Sequence, residues 1–483
     1  MVFNSYGFVL AFMPIFVIGL NIVRSIGRKK GCERLLCDVW IILLSLYFFS
    51  TFGAKNLAIL FISVIWNVCT SIPMSFMRDQ NVKVRFFGKE RMPHKIWVLI
   101  GVTGNLVLLL FFKLSGIFLP LAISFYTFNQ ISYIVDLYRG DVKQFDALDY
   151  LCYVLFFPKL LQGPIMDFSS FTKELEKVHK EKLDWEKIMR GLYLFSIGLF
   201  KKVILADTFG KAVDFAYGGV QGLGSLEAVL TAVFYSFQLY FDFSGYCDMA
   251  GALSFMIGID LPVNFDSPYQ AVNIIDFWKR WHITLTKFFT KYLYIPLGGN
   301  RKGALRTYIN LLIIFLVSGF WHGTGLTFII WGAMHGVLYV ITRMMKKTSG
   351  IARPFKVILT FLYVTAAWVF FRAESVAQAL TLFKRMFTGG VKPIATGLSS
   401  CFQLDELWYV IKVTPLMKLS FVWDICLWIF LIFAVIFIFF KKNAIRSFKD
   451  CKIGVKSTLL TAILFIWSII SFGGVSTFLY MNF

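Results

Sequence analysis

The chain has 483 residues, of which 58% are hydrophobic, 18% aromatic and 16% charged. A soluble domain carries roughly 25% charged and about 45–50% apolar residues, so water cannot be the only solvent around this chain. That composition excludes an intrinsically disordered chain, a soluble nucleic-acid binder and a disulfide-stapled secreted domain, and it fits a bilayer. The net charge of +22 then reads as Lys and Arg held in cytoplasmic loops. None of the eight Cys falls in a C-x-x-C pair, so no zinc site or disulfide framework is signalled.

A spanning helix needs about 20 mostly apolar residues. In chain order the candidates are Tyr6–Val23, Leu35–Phe52, Leu57–Met77, Ile96–Phe112, Ile117–Val135 and Gly191–Ala206. They continue with Ser225–Phe243, Tyr308–Phe320, Gly325–Thr342, Val357–Phe371, Ser420–Phe440 and Thr458–Tyr480. The first lacks a small-residue cleavage site and reads as a retained helix. Tyr150–Leu161 is apolar but short, with Pro158 near its end, which suggests a re-entrant or interfacial segment. Phe168–Arg190 is charged, with a weak stripe of Phe171, Leu175 and Val178, as expected of a surface helix. Basic clusters follow the first span (Arg24, Arg28, Lys29, Lys30, Arg34), the third (from Arg78 through Lys83 to Lys95) and the Gly325–Thr342 span (Lys346, Lys347, Arg353, Lys356). Others precede Tyr308 and the last span (Lys441, Lys442, Arg446, Lys449, Lys452, Lys456). With all of them on the cytoplasmic face, twelve spans alternate without conflict and both termini lie outside. The expected fold is an all-α polytopic bundle of about 11–13 membrane helices with re-entrant and interfacial pieces. It forms a single domain with a motif-bearing core over 96–345 and peripheral helices at 1–95 and 346–483.

Five His are present. His94 and His179 lie in charged loops and read as solvated. The other three lie in apolar surroundings, where an ionisable group marks a functional or paired site. His322 sits in FWHGTG, whose Gly319, Gly323 and Gly325 argue for a broken helix lining a cavity. It can be a general base or a helix-end residue bonded to a free carbonyl. His335 shares a helical face with Phe328, Trp331 and Leu338, so core packing and a hydrogen bond to something in the same cavity both remain open. His282 lies in DFWKRWHITLTKFFTKYLYIP. A helix there places Trp278, Trp281, Leu285, Phe288 and Tyr292 opposite Arg280, Lys287 and Lys291, as an interfacial anchor does. The alternative is a cytoplasmic mouth where Lys279 and Arg280 meet a phosphate-rich donor. Further polar candidates are Asn129, Gln130 and Asp136, then Gln162 in Gln-Gly-Pro. In YFDFSGYCD, Asp242 and its neighbours are either a site or helix caps. No Walker motif, Gly-rich phosphate loop or G-x-S-x-G is present.

Several stretches are similar to one known family. They are LPLAISFYTFNQISYIVDLYRG (Leu119–Gly140), FFPKLLQGPI (Phe156–Ile165), YFDFSGYCDMA (Tyr240–Ala250), NFDSPYQAVNIIDFWKRWHITLTKFF (Asn264–Phe289), YLYIPLGGNRKG (Tyr292–Gly303) and FWHGTGLTFIIWGAMHG (Phe320–Gly336). The chain resembles the membrane-bound O-acyltransferases, in particular their alginate O-acetylation branch. Two departures from the branch pattern are Leu326-Thr327-Phe328 after the second WHG element and Thr290-Lys291 before Tyr-Leu-Tyr-Ile-Pro.

The resemblance implies a helical bundle around a central tunnel or funnel. It implies catalytic roles for His322 and His282, with Trp321, Trp281, Lys279, Arg280, Asn129, Gln162, Asp242 and His335 as substrate-binding candidates. The implied reaction moves an acetyl group from acetyl-CoA, or another cytoplasmic thioester, across the bacterial plasma membrane. The acceptor is an extracytoplasmic polysaccharide or cell-wall glycan, reached through a partner acyltransferase. No bound cofactor, metal or nucleic acid is expected; membrane lipid is. D-alanyl transfer to teichoic acid, a transporter and a scaffold subunit are the alternatives.

Overall fold

The computed structural model describes residues 1–80, 84–86, 89–91, 94–345, 350–419, 421–441, 443–444, 448, 452–474 and 478–479. The basic residues Lys83, Lys346, Lys347, Lys442, Arg446 and Lys449, and the end of the last expected span at Tyr480, lie outside them. The chain is a succession of helices; the strands among the described residues are one antiparallel pair, Val84–Phe86 with Lys89–Arg91. Every expected span falls largely on helix. Among the described residues, eight helices are long and apolar enough to cross a membrane: Phe8–Lys30, Ala54–Asp79, His94–Ser115, Ala304–His322, Leu326–Met344, Arg353–Arg372, Val422–Phe440 and Val455–Gly473. The expected spans at Leu35–Phe52, Ile117–Val135, Gly191–Ala206 and Ser225–Phe243 are helical but shorter or more polar. They correspond to Glu33–Ser50, Ile123–Arg139, Trp185–Ala206 and Ser225–Ile257. The protein is a multi-pass membrane protein.

The chain divides into two compact units, each described by itself. One comprises residues 1–195 with Met249–Pro262. Its first long helix, α1 (Met13–Lys30), shows how such a helix is read. Ile15, Ile18, Ile22 and Ile26 form an exposed apolar stripe, while Phe16, Leu20, Arg24 and Gly27 point inward. Arg24 is therefore not a loop residue. The helix runs on to Lys30, and the buried guanidinium donates to the carbonyl oxygens of Glu181 and Ile257 at 3.3 and 3.4 Å. Glu33–Ser50 is α2 and Ala54–Asp79 is α3; α4 is His94–Ser115 and α5 is Ile123–Arg139. A buried amide network joins α3, α4 and α5. Ser63 Oγ donates to Gln130 Oε1 at 2.7 Å, and Asn105 Nδ2 to Asn67 Oδ1 at 2.7 Å. Polar side chains bridging helices in this way help to hold apolar helices together where solvent gives no drive.

The short apolar segment resolves into α6 (Ala147–Leu155) and α7 (Phe157–Leu160), both largely buried and broken where Pro158 enters the second. The charged stretch forms α8 (Phe168–Lys180). His179 on it is not solvated. It is buried, and its Nε2 lies 2.8 Å from Asp38 Oδ1 on α2, because the amphipathic face of α8 turns it inward. His94 is half-buried beside the Tyr138 ring.

The second unit comprises Ser196–Asp248 and Val263–Leu479. The helix α9 (Trp185–Leu199) continues as a π-helical stretch, Phe200–Ala206, before α10 (Asp207–Gly218). Next come the 33-residue α11 (Ser225–Ile257), of which Ser225–Asp248 belongs to this unit, the short α12 (Ile274–Trp278) and α13 (Ile283–Phe289), then α14 (Ala304–His322), α15 (Leu326–Met344) and α16 (Arg353–Arg372).

Candidate functional site

The position of His322 follows from three glycines. The helices α14 and α15 form a tight hairpin, and a Cβ on Gly319 would meet the carbonyl oxygen of Phe328 at 2.4 Å. A Cβ on Gly332 would meet that of Phe315 at the same distance. Small residues at such crossings let membrane helices touch backbone to backbone. The expected break is present: α14 ends at His322, Gly323 is extended, and α15 starts at Leu326. His322 is thus the last residue of its helix, 4% exposed, with ring centroids 4.6 Å from Trp321, 5.2 Å from Trp331 and 5.0 Å from Phe371.

His335 lies one turn beyond Trp331 and is fully buried. Its Nδ1 accepts the indole N–H of Trp278 at 3.3 Å. A neutral imidazole that accepts at Nδ1 carries its proton on Nε2. That Nε2–H has no hydrogen-bond partner among the described residues. The apolar stripe does pack, with Trp331 stacked on Trp368 at 5.6 Å, and it still leaves one buried donor open.

His282 does not sit on a continuous amphipathic helix. The chain breaks between α12 and α13, and His282 holds φ 43° and ψ 52° at the N-cap of α13. A left-handed conformation costs a residue with a Cβ of order 1–3 kcal/mol and persists where its surroundings over-determine it. Here the surroundings are Asn264. Its main-chain oxygen accepts from Ile283 N at 3.0 Å. Its Oδ1 accepts from Thr284 Oγ1 at 2.6 Å and Thr284 N at 3.2 Å, and lies 3.4 Å from His282 Nδ1. The Phe243 ring meets the imidazole edge-on at 4.8 Å. Burial with no charged neighbour pushes the His282 pKa down to about 3, so the ring is neutral. With Nδ1–H directed at Asn264, the Nε2 lone pair is left without a partner among the described residues.

The remaining candidates separate into groups. Trp281 is buried between Phe277 (5.6 Å) and Trp368 (5.1 Å), and Trp321 is buried beside His322. Lys279 is exposed. Arg280 is held by Asp276 Oδ1 at 2.8 Å and the Asp266 carbonyl at 3.3 Å. Asp242 caps no helix: it lies inside α11, pairs with Lys202 Nζ at 2.8 Å and accepts from Leu479 N at 3.0 Å. Asn129 and Gln162 belong to the other compact unit. There Asn129 Oδ1 is 3.4 Å from the buried Lys159 Nζ, which lies 3.7 Å over the Tyr153 ring. Both terminal atoms of Gln162 lack partners among the described residues.

Between the two WH elements the structure places rings in sequence: His322, Trp331, Trp368, Trp281, Phe265, Phe243 and His282. Successive centroids are 4.8–5.6 Å apart. Two cavities, of about 210 and 320 Å³, touch neither His322 nor His282. Along this line the side chains pack ring against ring.

Sequence reasoning missed a buried charge cluster. On the π-helical stretch, Lys201 Nζ bonds Asp248 Oδ2 at 2.6 Å, and Lys202 Nζ bonds Asp207 Oδ1 and Asp242 Oδ1 at 2.8 Å each. The signal was legible: two adjacent Lys inside an otherwise apolar span need acidic partners. Asn264, the anchor of His282, carried no signal beyond its place in NFDSPY. Among the described residues no group of three or more His, Cys, Asp or Glu is arranged to hold a metal ion.

A profile of the membrane-bound O-acyltransferase family matches residues 138–373, a stretch that includes both WH elements and His335. The chain is 36% identical over 434 residues to the peptidoglycan O-acetyltransferase of Helicobacter pylori, covering 80% of each. It is 34% identical over 417 residues to the probable alginate O-acetylase AlgI of Pseudomonas aeruginosa, covering 81% of this chain and 75% of that one. The teichoic acid D-alanyltransferase of Streptococcus thermophilus is 29% identical over 351 residues, covering 69% and 80%. The chain belongs to the membrane-bound O-acyltransferase family, and its activity is O-acyl transfer. Among these relatives it is more similar to the two O-acetylating proteins than to the D-alanyl transferase.

Proposed function

We propose that the protein takes an acetyl group from a cytoplasmic thioester, acetyl-CoA being the simplest, and delivers it for O-acetylation of an extracytoplasmic polysaccharide or cell-wall glycan. It does so from the bacterial plasma membrane with both termini outside, and a partner acyltransferase completes the transfer to the polymer. The observation that carries this reading is the placement of His322 at the tip of the glycine-packed α14–α15 hairpin, inside the family-matching region. Greater identity to the O-acetylating relatives favours acetyl over D-alanyl.

In the proposed step an acceptor hydroxyl attacks the thioester carbonyl carbon while the His322 imidazole takes its proton. The tetrahedral intermediate collapses, the C–S bond breaks, and the thiolate leaves with the proton returned by the imidazolium. The open Nε2–H of His335 is a donor suited to a carbonyl oxygen on which negative charge develops. The neutral His282 presents a lone pair that can accept an N–H from the donor. Trp281 and Trp321 wall the two imidazoles. Lys279 and Arg280 face a phosphate-bearing donor, although Asp276 already engages Arg280. Asn129, Gln162 and Asp242 supply polar contacts to substrate or hold the scaffold that does. Acyl passage requires Trp331 or Trp368 to swing from the ring ladder.

The test is transfer of radiolabel from acetyl-CoA to extracytoplasmic glycan in membrane vesicles, comparing wild type with His322→Ala at matched membrane levels. Loss of transfer is expected. Undiminished transfer in a correctly inserted variant would refute the enzymatic role of His322 and favour a scaffold.

A further inference from the structure

The cavity of about 210 Å³ in the second unit has neither His322 nor His282 in its lining, which comes from α14 and α15 and from residues between Trp278 and Tyr294; Trp278 also bonds His335. On α14 its wall is Leu311, Ile314, Phe315 and Ser318, spaced as one face of a helix and about 10 Å long at 1.5 Å per residue. Tyr294 and the exposed Arg343, in the last turn of α15, complete the lining, and Arg343 marks its solvent-facing mouth. Two features of this end are unexplained by the fold. The buried Tyr294 hydroxyl has no hydrogen-bond partner among the described residues. Arg343 is the one charged residue in the lining, and no ion pair engages it among the described residues.

Two of the lining helices, α14 and α15, are long and apolar enough to cross a membrane, and such helices bring their apolar lining to the depth of acyl chains. An apolar cavity of roughly 150 Å³ stays dry and takes up a hydrocarbon ligand, and this one is larger. A guanidinium at the end of a spanning helix sits at the depth of lipid headgroups, where basic residues attract anionic lipid and Arg pairs bidentately with a phosphodiester. An apolar slot with one cation and one open hydroxyl at its mouth matches one kind of molecule. We propose that this groove binds a single anionic glycerophospholipid, one acyl chain lying along Leu311–Ser318 and the phosphate at Arg343 and the Tyr294 hydroxyl.

The experiment uses the full-length protein in nanodiscs of phosphatidylcholine doped with phosphatidylglycerol whose acyl chain carries a photoactivatable group. Crosslinks should fall on the peptide containing residues 311–318. Labelling should drop about 5-fold in Arg343→Ala, the loss expected for one interfacial cation, and largely survive in Arg343→Lys. Ser318→Leu should block the acyl crosslink while leaving the headgroup end intact, which keeps the test alive if an Arg343 variant is poorly folded; size-exclusion profiles report folding. Equal labelling by the phosphatidylcholine analogue, no change in Arg343→Ala, or displacement of the label by acetyl-CoA would overturn the proposal. The last result would assign the groove to the thioester donor.

Discussion

The second unit holds two buried polar systems that solve the same problem in opposite ways. On the π-helical stretch, Lys201 and Lys202 find their counter-charges within the chain, in Asp248, Asp242 and Asp207. Around α12–α15, three imidazoles are enclosed by Trp and Phe rings, and His282 and His335 each keep one ring nitrogen without a partner among the described residues. A buried polar group left unmatched costs about 1–3 kcal/mol. The lysine cluster is matched within the chain; under the proposed function, a substrate would complete the hydrogen bonding of the imidazole cluster.

That contrast can be broken from either side. The largest effect is expected on activity. His322→Ala should lower acetyl transfer by roughly 10²–10⁴-fold, the usual worth of a general base, while leaving the thermal unfolding midpoint in detergent nearly unchanged. A large fall in that midpoint would make His322 a structural residue.

The converse holds for Asp248→Ala, which strands Lys201 in the interior. Removing one partner of a buried pair costs about 3–5 kcal/mol, so folded yield and melting temperature should fall sharply. The double replacement Lys201→Met with Asp248→Leu should recover most of the stability and, if the pair is architecture alone, most of the activity. Restored folding without activity would move the cluster into the catalytic machinery.

Gly332→Val tests whether helix contact sets the position of His322. Its Cβ would lie 2.4 Å from the Phe315 carbonyl oxygen, and overpacking of this kind costs about 1–3 kcal/mol. Transfer should drop more than stability explains, because the hairpin must open. Wild-type activity would show that the close approach is dispensable.

The smallest effect concerns His282. Its folded pKa of about 3 lies below the ordinary value of 6.5, so the unfolded chain binds the extra proton between them. Stability is therefore fully present above about pH 6.5 and falls as pH drops toward 3, by at most about 1.4 kcal/mol per pH unit. His282→Asn, whose side chain tolerates the left-handed backbone, should show a shallower decline in melting temperature between about pH 7.5 and about pH 5. Identical slopes would mean that the ring is solvated.

Much of this was legible before any coordinates. Runs of apolar residues located every long helix, because hydropathy over some 20 residues is a local sum. The break after His322 was signalled by Gly319, Gly323 and Gly325, and the burial of both WH imidazoles by their apolar surroundings. The reading failed where a partner far along the chain decides. His179 looked solvated from its charged neighbours, but Asp38 draws it inward from 141 residues away. The stretch around His282 looked like one amphipathic helix because its periodicity is helical, and the long-range bonds of Asn264 break it. Asp242 looked like a possible cap, since nothing nearby in sequence shows Lys202 facing it from 40 residues away.

By itself, then, the order of residues determined that the chain lives in a bilayer, where its long helices run and which few ionisable groups lie among apolar ones. Those properties follow from transfer free energies summed over neighbours. Tertiary structure decided which charges cancel, which tautomer His335 holds, that His282 is bent into the left-handed region, and that aromatic rings fill the line between the two WH elements. Such outcomes depend on groups brought together across tens to hundreds of residues, and a hydrogen bond reports its partner's position in space, not in sequence.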